Sequence, residues 1–324
     1  MQKTKPLALL TVVLLLLVVT TQGLASGPYY QNALNAWCLA ATNSPDELTP
    51  GPHPVRVAVI DSGLKPGNTT NAAPGYNYVF KTTTTSDLLG HGTQTTGIMV
   101  GGRSDKGSLL ALGSHATIVP LVWITKYPSG VLANGGVAAL CSAIRDAVDV
   151  YTCQIINISS GITTDDPALR AAVAYAEEKG AIVVSAVGNS NRFAPDQVYY
   201  PAAYDTVVGV GSINKDILVS PFSQRNTSVF VTAPGERVYT MPGGFARGFA
   251  LVSGTSYSAA YVSSFAALLL SKYPELSPAL FRRILQESAQ DLGDPGYDTA
   301  YGHGIIDVAH GLLRCEALQT NTSP

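Results

Sequence analysis

The sequence predicts an α/β fold with a doubly wound, mostly parallel central sheet, helices on both faces and one buried central helix. Apolar, β-branched runs alternate with segments of helical spacing, which is typical of buried parallel strands joined by crossover helices. The 324 residues are 46% hydrophobic and 13% charged and include 31 glycines, which suits one large core with tight turns. Residues 248–271 contain no charged side chain, so a helix there must be buried on every side.

The start of this buried helix is the most informative position in the chain. It falls at Gly254-Thr255-Ser256, where free backbone N–H groups and the positive end of the helix dipole meet. A serine hydroxyl at this point suits an acyl-transfer nucleophile. Two other interpretations remain open: an ordinary helix cap, and a membrane span, which the serines within the stretch disfavour.

Length and composition divide the chain into four parts. Residues 1–25 resemble a secretion signal, with Lys3 and Lys5 before an apolar run, and an uncleaved membrane anchor is the alternative. Residues 26–54 form an N-terminal arm that we expect to pack on the domain surface, residues 55–313 form the main domain and residues 314–324 form a tail. The net charge of −2 argues against a nucleic-acid partner.

The cysteines fit an oxidising compartment better than a metal site. An even number of them permits up to two disulfides in a secreted chain, and the sequence does not select the pairing. No two have the close spacing of a zinc knuckle. They are Cys38, Cys141, Cys153 and Cys315.

The first part of the main domain alternates strands and helices. Apolar strands are predicted at residues 55–60, 116–124 and 154–161, and the first of them ends at Asp61. A helix of small residues follows Gly90-His91-Gly92, and Asn134 is predicted to cap the next one. The pair Asp166-Pro167 begins a helix that runs to residue 179 and is closed by Gly180.

The remaining elements complete the alternation. Strands are predicted at residues 181–189, which end with Asn189, and at residues 200–212. Edge strands and turns follow up to residue 235, and residues 249–252 lead into the turn at Gly254. After the buried helix, Ser277 starts an amphipathic helix, and residues 301–308 supply the start of a last one.

Four polar groups stand at strand ends or at a helix start. Because ligands of parallel sheets bind at the carboxyl ends of the strands, we expect Asp61, His91, Asn189 and Ser256 to share one cleft. Their chemistry is complementary: a serine hydroxyl needs an imidazole to take its proton, the imidazole needs a carboxylate, and a tetrahedral oxyanion needs positioned donors. Each of these residues also has a structural interpretation when taken alone, as a turn or cap residue.

Together the motifs around these residues resemble the subtilases, the subtilisin-like serine proteases. The chain order of Asp, then His, then Ser is that of the family, and the resemblance extends over about residues 55–313. The motifs are Val59-Ile60-Asp61-Ser62-Gly63, Gly90-His91-Gly92-Thr93, Val187-Gly188-Asn189 and Gly254-Thr255-Ser256. The resemblance implies a subtilisin-like fold and makes residues 55–313 the catalytic domain of a secreted endopeptidase.

The resemblance also implies roles for residues. Ser256 would attack the scissile carbonyl, His91 would act as general base and then general acid, and Asp61 would orient His91. Asn189 and the backbone N–H of Ser256 would hold the oxyanion. Substrate-binding residues would be Ser159, Ser160 and Gly161, which would pair with an extended peptide and line the pocket for the side chain before the cut. Their small size predicts space for a bulky or apolar side chain.

Cofactor and partner expectations follow from the same resemblance. The chemistry requires no cofactor, and the loop at residues 100–110 lacks the asparagine-rich calcium site of well-known members. Asp294 and Asp298 could be calcium ligands, but the preferred interpretation is that they are surface turn residues. The expected partner is an extended polypeptide, bound by a monomer with no membrane attachment after signal cleavage.

The chain departs from the family after Ser256. The usual Met-Ala-(Ala or Thr)-Pro-His-Val is replaced by residues 257–262, which begin with Tyr257 and lack the proline and the histidine. We expect altered packing of the helix rather than loss of activity. Two other functions remain open: a peptide ligase or macrocyclase that uses the same acyl-enzyme, and an inactive scaffold that binds peptides.

Overall fold

The structure is a computed structural model that describes residues 33–67, 71–104, 107–243 and 248–320. The predicted secretion signal lies outside these described residues, as do the last four residues of the predicted tail. Among the helices of the described ranges, none is both long enough and apolar enough to cross a bilayer.

Seven parallel strands form the central sheet, and this confirms the predicted fold class. Their order is β11-β10-β9-β8-β1-β5-β2, and every pairing is parallel, with the bounds that follow. The strands are β1 (Arg56–Asp61), β2 (Tyr76–Asn77), β3 (Gly102–Ser104), β4 (Gly107–Leu109), β5 (Thr117–Val122), β6 (Ile124–Lys126), β7 (Leu132–Asn134), β8 (Ile155–Ile158), β9 (Ile182–Ala186), β10 (Val208–Ile213), β11 (Val231–Pro234), β12 (Val238–Thr240) and β13 (Ala250–Val252). The helices are α1 (Ala36–Ala41), α2 (His91–Val100), α3 (Gly136–Asp149), α4 (Pro167–Glu178), α5 (Thr255–Lys272), α6 (Pro278–Ser288) and α7 (Val308–Thr320).

The helices cover both faces of the sheet because alternate residues of each strand point to opposite sides. In β1, Val57 and Val59 join the cluster that packs against α2, α5, α6 and α7, whereas Ala58 and Ile60 join the cluster beneath α3 and α4. The same alternation continues in β8 with Ile155 and Ile156. The sheet therefore separates two apolar cores.

The connections place a crevice between β1 and β8. From β1 the chain continues through α2 to β5 on one side, and then crosses through α3 to β8 on the other side of β1. In an open parallel sheet, the point where the strand order reverses is where ligands bind, beyond the carboxyl ends of the strands. The segments that follow β1, β8 and β9 therefore meet at one edge of the sheet.

Helix α5 is the central helix that the charge-free stretch predicts. Every residue from Thr255 to Ser271 is buried, and the helix contacts α2 together with β8, β9, β10 and β11. Its N-cap is Gly254, with no side-chain capping bond, so the ordinary cap by Thr255 or Ser256 is not formed. The N–H of Thr255 is instead bonded to the side chain of Asn189, at 2.9 Å.

Two local predictions differ from the structure. Asn134 is the last residue of β7, and its Oδ1 accepts the N–H of Gly136 at 3.0 Å, while the N-cap of α3 is Gly135. The N-terminal arm is more deeply packed than expected, because Cys38 and Leu39 of α1 are fully buried in the core on the α5 side. By contrast, Asp166 caps α4 as predicted, through the N–H groups of residues 168 and 169.

The disulfides expected from the sequence are not formed. All four cysteines are free thiols, and the sheet separates them into two pairs. Cys38 and Cys315 lie in the core on the α5 side, whereas Cys141 and Cys153 lie in or against the core beneath α3 and α4. The predicted disulfide bonds are therefore not seen in this structure, which has Cys38 and Cys315 on one side of the sheet and Cys141 and Cys153 on the other.

Candidate active site

Asp61 and His91 form a hydrogen-bonded pair at the crevice. Asp61 ends β1 with only 1% of its side chain exposed, and His91 begins α2 with about a third of its ring exposed (35%). Nδ1 of His91 lies 2.8 Å and 2.9 Å from the two carboxylate oxygens of Asp61. The start of α2 packs closely on the turn after β1, and this requires glycine at position 92, because a Cβ there would lie 2.3 Å from the carbonyl oxygen of Gly63.

A second buried carboxylate, Asp87, holds the backbone around His91. Its Oδ1 accepts from the hydroxyl of Ser62 (2.8 Å) and from the N–H groups of Leu89 (3.1 Å) and Gly90 (2.6 Å). Its Oδ2 accepts from the N–H (2.8 Å) and the hydroxyl (2.7 Å) of Thr93. Asp87 thereby fixes the turn that leads into α2 from both sides of the imidazole.

The electrostatic surroundings raise the pKa of His91 above its usual value of 6.5. Burial is the largest single influence and lowers this pKa, but the charge of Asp61 and its hydrogen bond to the ring together outweigh it, with a further contribution from Asp87. The bond to Asp61 also fixes the tautomer, because Nδ1 carries the proton that is donated to the carboxylate. Nε2 of the neutral ring is then left as a proton acceptor.

Ser256 is the second residue of α5, and its hydroxyl is turned toward β8. Its Oγ donates to the backbone carbonyl of Ser159 at 2.8 Å rather than to His91, and the hydroxyl of Ser159 donates in return to the carbonyl of Ser256 at 2.9 Å. Asn157, fully buried in β8, donates to Ser159 Oγ at 2.9 Å and so anchors this reciprocal pair. The start of α5 still lies beside the imidazole, since the ring of Tyr257 is 5.8 Å from that of His91, centroid to centroid.

Asn189 reaches the start of α5 from the segment after β9. Its Oδ1 accepts from both the N–H (2.9 Å) and the hydroxyl (3.0 Å) of Thr255. Because both partners are donors to the same atom, the amide oxygen is identified, and the Nδ2 donors remain for another acceptor. The side chain is exposed, which leaves Nδ2 accessible from the crevice.

The segment after β8 and the segment after β9 face each other beside Ser256. Ser160 Oγ accepts from the indole N–H of Trp123 at 3.1 Å, so it is held from the β5 side. Between the two segments stands Tyr199, whose ring lies against Gly188: a Cβ on Gly188 would be 2.3 Å from Cδ2 of that ring. A Cβ on Gly161 would lie 3.7 Å from Cβ of Tyr199. The ring of Tyr199 therefore packs on the segment after β9, and its Cβ lies near Gly161 in the segment after β8.

The described residues offer little to a metal ion. Within them, no group of three or more His, Cys, Asp or Glu side chains is placed to hold one. Asp298 instead supports a turn, because its Oδ1 accepts the N–H groups of Ala300 (2.6 Å) and Tyr301 (2.8 Å).

Comparison with known proteins identifies the family. Residues 53–304, which include the crevice and most of both cores, match the Subtilase family. The chain belongs to the subtilase family. Because this family consists of serine-type endopeptidases, the chain is assigned that activity, and its similarity to several subtilisins supports the assignment.

Individual relatives are similar in sequence to this chain over most of its length. Subtilisin DY from Bacillus licheniformis is 32% identical over 257 residues, which cover 78% of this subtilase and 89% of that protein. The minor extracellular protease Epr of Bacillus subtilis (strain 168) is 31% identical over 252 residues, but these span only 37% of its length. The crystal structure of a lanthipeptide protease superposes with a TM-score of 0.68 and 30% identity, covering 82% of this chain and 88% of that one.

Three residues of this subtilase site were not predicted from the sequence. Asp87 lies four residues before His91 in the sequence, but no sequence pattern indicates its five hydrogen bonds. The hydroxyl of Tyr257 donates to Oε1 of Gln94 at 2.8 Å, which links the start of α5 to α2. Tyr199 directly precedes the Tyr200-Pro201 turn, and only its side-chain contacts reveal its place in the crevice.

Proposed function

We propose that this subtilase is a secreted serine endopeptidase that hydrolyses peptide bonds through an acyl-enzyme on Ser256. The observation that carries the proposal is the Asp61–His91 pair, bonded at 2.8 Å, beside the helix start that presents Ser256. The substrate is a polypeptide in extended conformation, which is bound along the segment after β8. Secretion is supported by the expected signal sequence and by the similarity to a protease described as extracellular.

The reaction begins with a rotation of the Ser256 hydroxyl. The hydroxyl leaves the carbonyl of Ser159 and donates to Nε2 of His91. Oγ then attacks the scissile carbonyl while its proton passes to Nε2. Asp61 stabilises the imidazolium that forms, as its bond to Nδ1 requires.

The tetrahedral oxyanion is stabilised by two donors. One is Nδ2 of Asn189, which stays available because Oδ1 is bonded to Thr255, and the other is the N–H of Ser256 in the first turn of α5. As the intermediate collapses, the peptide C–N bond breaks and His91 gives its proton to the leaving amine. Water then attacks the ester and loses a proton to His91. The acyl C–Oγ bond breaks, His91 returns this proton to Oγ of Ser256, and the carboxylic acid product leaves.

Labelling with a fluorophosphonate tests the nucleophile. We expect the purified chain to be labelled and to cleave an unfolded protein substrate, and the Ser256→Ala variant to lose both. Cleavage without labelling, or labelling unchanged in Ser256→Ala, would contradict the proposal. Absence of labelling and cleavage in a folded protein would favour the inactive peptide-binding scaffold.

A second variant isolates the oxyanion donor. Asn189→Asp keeps an oxygen that can accept from Thr255 and removes the N–H donor, so the helix start retains its contact. We expect a loss of about 10²–10³ in kcat with little change in KM.

Mass spectrometry of the products separates hydrolysis from ligation: new carboxyl termini indicate a protease, whereas joined or cyclic peptides would indicate a ligase.

A further inference from the structure

The substrate side chain that precedes the scissile bond would bind in a pocket beside Ser256. If Ser256 attacks a carbonyl whose oxygen points to Asn189, the substituent on the acyl side lies between the segments that follow β8 and β9. These strands are direct neighbours in the sheet, and both segments are bonded to the start of α5. Ser159 exchanges two hydrogen bonds with Ser256, and the N–H of Gly188 donates to Oγ1 of Thr255 at 3.2 Å.

Tyr199 fills part of this space. One tyrosine lies against one wall and near the other. A Cβ on Gly188 would meet Cδ2, Cε2 and Cγ of its ring at 2.3, 2.5 and 3.1 Å, and a Cβ on Gly161 would lie 3.7 Å from its Cβ. The ring therefore lies in direct contact with the backbone of Gly188. Glycine at this position is what allows an aromatic ring to approach so closely.

The ring is held at both ends. Its hydroxyl lies 2.6 Å from the hydroxyl of Ser190, which directly follows Asn189. Its backbone is fixed by the next residue, since Tyr200 and Ile162 exchange two N–H···O bonds of 2.8 Å. Swinging the ring aside would break the contact with Ser190 and expose the apolar surface that packs on Gly188, so both contacts favour the observed ring position.

We propose that Tyr199 narrows the primary pocket so that this subtilase cleaves after small side chains, such as alanine, serine or glycine, and excludes aromatic ones. The inference rests on the proposed endopeptidase function and names its substrate class. It reverses the expectation drawn from Ser159, Ser160 and Gly161, whose small size alone predicted room for a bulky group. The second tyrosine, Tyr200, packs against Tyr204 at 5.1 Å between ring centroids and does not share this role.

Paired peptide substrates test the inference. Two otherwise identical chromogenic peptides carry alanine or phenylalanine before the cut, and kcat/KM is measured for the wild type, Tyr199→Phe and Tyr199→Ala. We expect the wild type and Tyr199→Phe to prefer the alanine peptide, because both keep the ring. Removing the ring in Tyr199→Ala should raise the ratio of phenylalanine to alanine cleavage at least about tenfold, the usual scale for a change in pocket volume.

The outcomes separate this inference from the proposed function. Equal or preferred cleavage of the phenylalanine peptide by the wild type would overturn the inference, and this measurement needs no variant to fold. An unchanged ratio in a Tyr199→Ala protein that still cleaves the alanine peptide would also overturn it. Failure of the wild type to react with a fluorophosphonate at all would instead overturn the proposed function.

Discussion

Replacing Asp87 by asparagine removes the charge that organises the backbone around His91. The carboxylate accepts five hydrogen bonds, from two backbone N–H groups and a hydroxyl at Oδ1 and from the N–H and hydroxyl of Thr93 at Oδ2. An asparagine oxygen can replace one carboxylate oxygen. Its amide group must then face Thr93, where the hydroxyl can reverse its role but the N–H cannot.

The magnitude follows from these contacts. Ser62 and Thr93 are fully buried, so water cannot replace the lost acceptor. One unpaired buried N–H costs about 1–3 kcal/mol, and each of three bonds that lose a charged acceptor costs about 1 kcal/mol. We therefore expect Asp87→Asn to lower the free energy of unfolding by about 4–6 kcal/mol, at or just above the upper end of the range of about 3–5 kcal/mol for disrupting a buried charged pair.

Urea unfolding followed by tryptophan fluorescence measures this loss. The variant and its control are made in the Ser256→Ala background, so that self-digestion does not distort the transition. Asp46→Asn, at an exposed carboxylate, is the matched control and should change the free energy of unfolding by less than about 0.5 kcal/mol. A loss below about 1 kcal/mol for Asp87→Asn would refute the reasoning.

Three further outcomes are expected. Because neutral His91 is the base and its pKa is raised above 6.5, kcat/KM should fall as the pH drops through that raised value. The variant Asp61→Asn should move this acidic limb of the pH profile to lower pH and reduce the plateau of kcat/KM about 10⁴-fold. An acidic limb that does not move would contradict this expectation. Tyr257→Phe removes the hydrogen bond to Gln94 but keeps the ring beside His91. Thermal unfolding should therefore show a stability lower by about 1 kcal/mol, and kcat/KM should change only a few-fold. A fall in kcat/KM as large as that of Asp61→Asn would assign the hydroxyl a direct role. All four cysteines should react with iodoacetamide in denaturant without reductant, since the structure leaves them as free thiols; modification of two or none would show disulfides instead.

Much of the fold could be predicted because the signals are long and redundant. The β-branched run at residues 55–60 and the charge-free stretch that became α5 each have one physical solution, burial inside a layered core. The burial of α1 could not be predicted, because six residues are too few to show a helical period. Its depth depends on contacts with the distant α5, where Asn35 bonds to Tyr261 at 3.5 Å.

The candidate site could be predicted in part for the same reason. Asp61, His91 and Asn189 follow strand ends or begin a helix, so topology alone brings them to one crevice. The direction of the Ser256 hydroxyl and the position of Tyr199 depend on side-chain packing between segments far apart in the chain. No local pattern encodes such contacts, which is why the pocket was expected to be open.

Mapping the fluorophosphonate adduct tests the central claim most directly. The claim is that the Ser256 proton passes to His91, so the adduct should be found on Ser256 by peptide mass spectrometry. Its rate of formation should fall as the pH drops through the raised pKa of His91 and should be abolished in His91→Ala. An adduct on a different serine, or an equal rate in His91→Ala, would contradict the account.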